Sequence, residues 1–244
     1  MKKPLKILCI LLSAALVLGA AFGIYVATYS RMDAAAAALL ASPEGPETVE
    51  IHGGECLVFT PDHPAAGLIF YPGGKVEYGA YAPLMEELRQ RGILCVVCRM
   101  PCNLAVFKGN AADGVKEAFP QVERWYLGGH SLGGVMASVY AGKHPGEYEG
   151  LLLLAAYATA DLSGSGLRVL SVRGTEDGVL NGRSYERNRA NLPADARELL
   201  IEGGCHAYFG DYGPQRGDGV PTVSRERQRT LTADAFAEMV LPPA

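Results

Sequence analysis

Past residue 50 the chain is a succession of short apolar runs, most of them closed by glycine or proline and separated by segments with helical spacing. Residues 56–60 end at Pro61, and 67–71 end at Pro72-Gly73-Gly74. The run 93–98 is apolar throughout, and 125–127 lead into Gly128-Gly-His-Ser-Leu-Gly-Gly134. Further runs follow at 151–156, 167–172 and 197–201, the last ended by Gly203-Gly204. Between them lie helical patterns at 81–91 (Leu84, Met85 and Leu88 on one side), 111–119, 135–143 and 184–191, and a last one at 222–240. Strands that are apolar without alternation are buried on both faces. Strands alternating with helices of about ten residues build βαβ units. The expected class is therefore α/β, a mostly parallel central sheet with helices on both faces. In such sheets ligands bind beyond the carboxyl ends of the strands. That rule selects residues 71–75, 130–132, Asp161, 175–177 and 203–206.

The N-terminus constrains location. Lys2, Lys3 and Lys6 precede an uncharged run from 7 to 30. As a helix that run reaches about 36 Å, enough for a hydrocarbon core of roughly 30 Å. The lysines in front of it place the N-terminus in the cytoplasm and the rest outside. Gly19-Ala20-Ala21 offers a small-residue cleavage site, but the apolar run continues through Phe22, Ile24, Tyr25 and Val26. The expectation is one uncleaved transmembrane helix over 1–30, holding an extracytoplasmic domain at the cell membrane. Secretion after signal cleavage is the alternative. Residues 31–48 read as a spacer, an alanine-rich stretch from Asp33 to Ala41 broken by Ser42-Pro-Glu-Gly-Pro-Glu47. The domain then occupies 49–244.

Gly129-His-Ser-Leu-Gly133 lies between an apolar strand and an amphipathic helix. A serine on so sharp a turn sits in a strained backbone with its Oγ clear of the sheet, and flanking glycines let the turn pack closely. Residues 128–134 resemble the nucleophile elbow of the α/β-hydrolase superfamily. The similarity extends over roughly residues 50–240 and is closest to small lidless members grouped with dienelactone hydrolase. The resemblance implies an α/β-hydrolase fold with a serine nucleophile, Ser131. It also implies an acid after a later strand, a histidine after the last strand, and an oxyanion loop after an early one.

A serine needs a base, and the base an orienting acid. His52 and His63 precede Ser131, His130 adjoins it, and His144 ends the following helix. His206, between Gly204-Cys205 and Gly210, follows the last strand and is the expected base. Asp177, in Arg173-Gly-Thr-Glu-Asp-Gly178, is the expected acid, with Asp161 and the adjacent Glu176 as alternatives. An oxyanion needs two preorganised N–H donors. One is expected from Leu132 at the helix start. The other comes from the loop Tyr71-Pro-Gly-Gly-Lys75, where Pro72 has no N–H, leaving Gly74 or Gly73. Tyr71, Lys75 and His130 are the expected substrate-contacting side chains.

The remaining features exclude more than they add. A net charge of −4 with a pI near 5.8 gives no footprint for nucleic acid. Cys95 and Cys98 have CxxC spacing inside a strand, where they face opposite sides. Cys102 and Cys205 are free to pair outside the cell as far as spacing tells. No His/Cys/Asp/Glu spacing suits a metal, and no cofactor is expected. The reaction expected from the resemblance is hydrolysis of a small carboxylic ester or lactone through a Ser-Asp-His triad. Acyl groups of membrane lipid or cell wall are the alternative substrates, and a non-catalytic binding protein on the same fold is the rival class.

Overall fold

The computed structural model describes residues 2–241. Helix α1 (Lys2–Ala27) leads the chain and is followed by α2 (Ala34–Leu40). An eight-stranded sheet follows: β1 (Glu47–Ile51), β2 (Gly54–Phe59), β3 (Ala66–Tyr71), β4 (Ile93–Cys98), β5 (Trp125–His130), β6 (Gly150–Leu154), β7 (Arg168–Gly174) and β8 (Arg197–Ile201). Their spatial order is β1-β2-β4-β3-β5-β6-β7-β8. The first two pairings, β1 with β2 and β2 with β4, are antiparallel, and all others are parallel. The helices between strands are α3 (Ala82–Gln90), α4 (Val115–Ala118), α5 (Leu132–Lys143) and α6 (Gly182–Asn188), with α7 (Arg225–Val240) closing the chain.

The pleat divides the core. Along β3, Leu68 and Phe70 join the cluster that contains Leu84, Met85 and Leu88 of α3 and Phe236 of α7. Ile69 and Tyr71 point the other way, into the cluster with Ala137, Tyr140 and Ala141 of α5. Burial of each large side chain is worth about 1.5–3 kcal/mol, so the sheet is held from both faces. Cys95 and Cys98 fall into opposite clusters, and all six cysteines are free, with Cys102 exposed and Cys205 buried.

Three elements differ from the sequence reading. The helix expected over 111–119 shrinks to α4, because Gly114 turns left-handed at φ +75 and starts a new turn. The strand β1 carries no strong apolar signal, yet it forms a hairpin with β2 across His52-Gly53, both at positive φ, as a tight two-residue turn needs. The helix expected from 222 starts at Arg225, where the Ser224 Oγ accepts from the Arg227 N–H.

Residues 31–48 were expected to be a spacer, but they pack on the domain. Ala36 is fully buried, and the Asp33 carboxylate caps α2 and pairs with Arg225. The stretch Lys6–Ala27 of helix α1 is largely exposed and is long and apolar enough to cross a bilayer.

Candidate active site

Strand β5 delivers its last residue, His130, directly to the turn at Ser131, and α5 begins at Leu132. Ser131 takes φ 51 and ψ −122, a conformation few non-glycine residues tolerate. It is pinned on both sides: its N–H donates to the Leu154 carbonyl at 2.9 Å, and its carbonyl accepts from the Val135 N–H at 3.1 Å. The flanking glycines are required by contact. A Cβ at Gly133 would overlap the Tyr71 and Pro72 carbonyl oxygens, and one at Gly129 would lie 2.5 Å from the Gly133 carbonyl carbon. The pattern Gly-x-Ser-x-Gly is thus dictated by β3 and α5 closing on the turn. Ser131 opens on a cavity of about 230 Å³ lined by Leu132, Val135, Tyr157, Val179 and Leu180.

Beyond β7, the Asp177 carboxylate receives the His206 Nδ1 at 2.9 and 3.1 Å. Both side chains are all but sealed from solvent, at 2% and 1% exposure. Asp177 Oδ1 also accepts from the Val179 and Leu180 N–H groups at 3.0 and 2.8 Å, which fixes the carboxylate plane. An acceptor carboxylate at Nδ1 sets the proton there and leaves Nε2 as the basic nitrogen. That Nε2 is buried and makes no hydrogen bond among the described residues. The alternatives are placed elsewhere. Asp161 is exposed and folds back on the Ser163 N–H and hydroxyl. Glu176 holds the loop through its backbone, its N–H donating to the Gly204 carbonyl.

The two N–H groups of Leu132 and Gly74 donate to no acceptor among the described residues. A Cβ built on Gly74 would lie 3.0 Å from Leu132 Cδ2, so the two segments are adjacent. The Gly73 N–H is already given to Tyr81 Oη at 2.9 Å. Of the two loop glycines, only Gly74 keeps its donor.

None of the three side chains expected to touch substrate lines the cavity at Ser131. Tyr71 points below the sheet, where its hydroxyl donates to the Gly109 carbonyl and accepts from the Ala112 N–H; burial pushes its pKa up. Lys75 turns away at φ 60, donates to Thr28 Oγ1 at 3.1 Å and lies 4.2 Å over the Tyr25 ring. His130 is fully buried, its ring 4.5 Å from that of His206. Tyr81 Oη, which accepts from the Gly73 N–H, shares a second hydrogen bond with His130 Nδ1 at 2.8 Å. Burial first, and the His206 ring second, hold the pKa of His130 well below the usual value.

This has a consequence for stability. Below about pH 6.5 the unfolded chain protonates His130 while the folded one does not, so stability falls with pH by up to about 1.4 kcal/mol per unit. His130→Gln is expected to flatten that slope in urea titrations run between pH 6.5 and 4.5. A slope equal to the parent's would show that His130 is not the group responsible.

One residue has no counterpart in the sequence reading. Asp218 accepts from the His206 N–H at 3.0 Å and from the Ala207 N–H at 2.8 Å, clamping the loop that carries the base. It also takes the Gly178 N–H at 3.4 Å, which ties that loop to the acid's loop. Its only signal is the flanking pair Gly217 and Gly219, in a long polar segment. The Gly219 N–H donates to the Glu176 carbonyl.

Comparison with known proteins gives the family and the fold. The family model described as the alpha/beta hydrolase family matches residues 67–230, more than half of the chain. Among solved structures, Est1E from Butyrivibrio proteoclasticus superposes with a TM-score of 0.62 at 13% identity, covering 80% of this chain and 99% of that one. A monoacylglycerol lipase from Paleococcus ferrophilus gives 0.59 at 15%, covering 78% and 100%. A dienelactone hydrolase from Anabaena variabilis gives 0.57 at 16%, covering 80% and 94%. A search of curated proteins finds no match.

Proposed function

The chain belongs to the alpha/beta hydrolase family, and from that premise we propose that it is a serine hydrolase of small carboxylic esters or lactones. The observations that carry the reading are the buried pair of His206 Nδ1 and Asp177, 2.9 Å apart, and the strained serine that starts α5. In this mechanism Ser131 Oγ attacks the carbonyl carbon while His206 Nε2 takes its proton. Asp177 holds the imidazole in the right tautomer and stabilises the imidazolium. The N–H groups of Leu132 and Gly74 receive the oxyanion, aided by the positive end of α5. His206 returns the proton to the leaving alcohol. A water, activated in turn by His206, releases the acid from Ser131. No cofactor enters these steps.

The open pocket of about 230 Å³ at Ser131 supports a small acyl part. The names of two structural neighbours, a dienelactone hydrolase and a monoacylglycerol lipase, set the range of a substrate panel. The intermediate gives a direct test. Protein quenched in acid during turnover of a nitrophenyl ester is expected to carry one acyl group on the peptide containing Ser131. An acyl group on any other peptide, or turnover without an adduct in a Ser131→Ala chain, would refute the mechanism.

We further propose that α1 stays on the protein as a single-pass anchor with the domain outside the cytoplasm. Its apolar length and the lysines before it support this. Intact mass of the protein from the membrane fraction distinguishes anchor from cleavage at 19–21.

A further inference from the structure

The junction between α1 and the domain is short and bonded. Three residues after α1 ends at Ala27, the Ser30 N–H donates to the Lys75 carbonyl at 2.7 Å, and the Ser30 carbonyl accepts from the Glu77 N–H at 2.9 Å. The Met32 N–H donates to Glu77 Oε2, and the Asp33 N–H to the Asp211 carbonyl. Three extended residues reach about 10 Å. Lys75, the neighbour of Gly74 and one hydrogen bond from Ser30, therefore stays close to the outer end of the span however α1 tilts.

The same side of the domain carries uncovered apolar side chains. Outside α1, Val106 and Phe107 are two of the large hydrophobic residues that are half exposed, at 50% and 53%. The Phe107 ring meets Phe22 of α1 edge-on with centroids 6.2 Å apart. Phe22 lies five residues inside the end of α1, about 7.5 Å along the helix axis. A side chain beside Phe22 is then at the level of the acyl chains under the headgroups. Around this point lie the residues that favour a bilayer surface: Tyr25 and Tyr29, with Lys75 over the first ring and Arg31 over the second.

We propose that Val106 and Phe107 enter the outer face of the bilayer that α1 crosses. The substrate is then an amphiphilic ester resident in that leaflet, with a short acyl group for the cavity beside Ser131. The contact rests on the anchor reading, and the substrate class rests also on the serine-hydrolase reading. The bilayer surface fixes how the substrate arrives, since the oxyanion loop and the membrane contact share the segment next to Lys75.

The test uses the full chain in phosphatidylcholine vesicles. A Phe107→Trp chain is expected to lose fluorescence when the lipids are brominated on the acyl chain near the headgroup. The buried Trp125 of the parent supplies the baseline. Fluorescence unmoved by bromolipid would overturn the contact. Phe107→Asp is expected to lower hydrolysis of a short-acyl ester of a long-chain alcohol by about tenfold, and to leave the same acyl ester of a water-soluble alcohol unchanged. An equal fall on both esters, or on neither, would overturn the substrate class. Quenching at Phe107→Trp in a parent that cleaves neither ester would refute the hydrolase reading and leave the membrane contact supported.

Discussion

Replacing Ser131 by alanine is expected to lower ester turnover by about 10⁶-fold, roughly 8 kcal/mol of barrier, with the fold intact. The size follows from the proposed mechanism, in which no other group forms the covalent bond. The intact fold follows from the structure, because Ser131 is held through its backbone and its Oγ joins no hydrogen bond among the described residues. The backbone at this position adds a second sign. At φ 51 and ψ −122 a Cβ is strained, by about 1–3 kcal/mol, and glycine is not. Ser131→Gly is thus expected to be as inactive as the alanine variant but more stable than the parent by about 1 kcal/mol. Denaturant midpoints beside initial rates read both. A glycine variant less stable than the alanine one would mean the turn is not strained. Activity retained in both would remove Ser131 from the chemistry.

The second large effect is at Asp177. Asp177→Asn is expected to lower kcat about 10⁴-fold with KM nearly unchanged. The asparagine oxygen keeps the Val179 and Leu180 N–H groups, which both bond Asp177 Oδ1. Its amide then faces His206 Nδ1 as a donor, which forces the imidazole proton onto Nε2, the atom that must accept from Ser131. Asp161→Asn and Glu176→Gln are the controls, since neither side chain meets His206, and both are expected to stay within about twofold of the parent. Steady-state rates on one ester decide it. A loss at Asp161 comparable to that at Asp177 would move the acid to the earlier strand.

The parts of the molecule that were legible in its sequence are those governed by local rules. Apolar runs such as 93–98 and 151–154 mark buried strands wherever they fall. The serine turn announces itself because Gly129 and Gly133 are each excluded from bearing a Cβ by close backbone atoms. The order Ser131, Asp177, His206 follows strand ends, and the structure brings the last two together.

What was not legible depends on direction and distance. Tyr71 ends a strand buried on both faces, so no alternation of polarity tells which way it points. Its position on the Ile69 side sends it under the sheet, away from Ser131. Lys75 is drawn off by Thr28 and Tyr25, 47 and 50 positions earlier, and His130 by Tyr81, 49 positions away. Asp218 reaches the base across 12 residues of irregular loop, which leaves no periodic trace. Residues 31–48 looked like a spacer because alanine states helix propensity and not partners. The burial of Ala36 and the pairing of Asp33 with Arg225, 192 residues on, are tertiary facts.

Fluorophosphonate labelling of the full chain reads whether the serine at position 131 is activated. The Ser131 oxygen bonds to phosphorus, fluoride leaves, and His206 takes the proton. One label is expected on the parent, on the Ser131 peptide, and none on Ser131→Ala. A folded parent that takes up no label, or an alanine variant that labels equally, would contradict that activation.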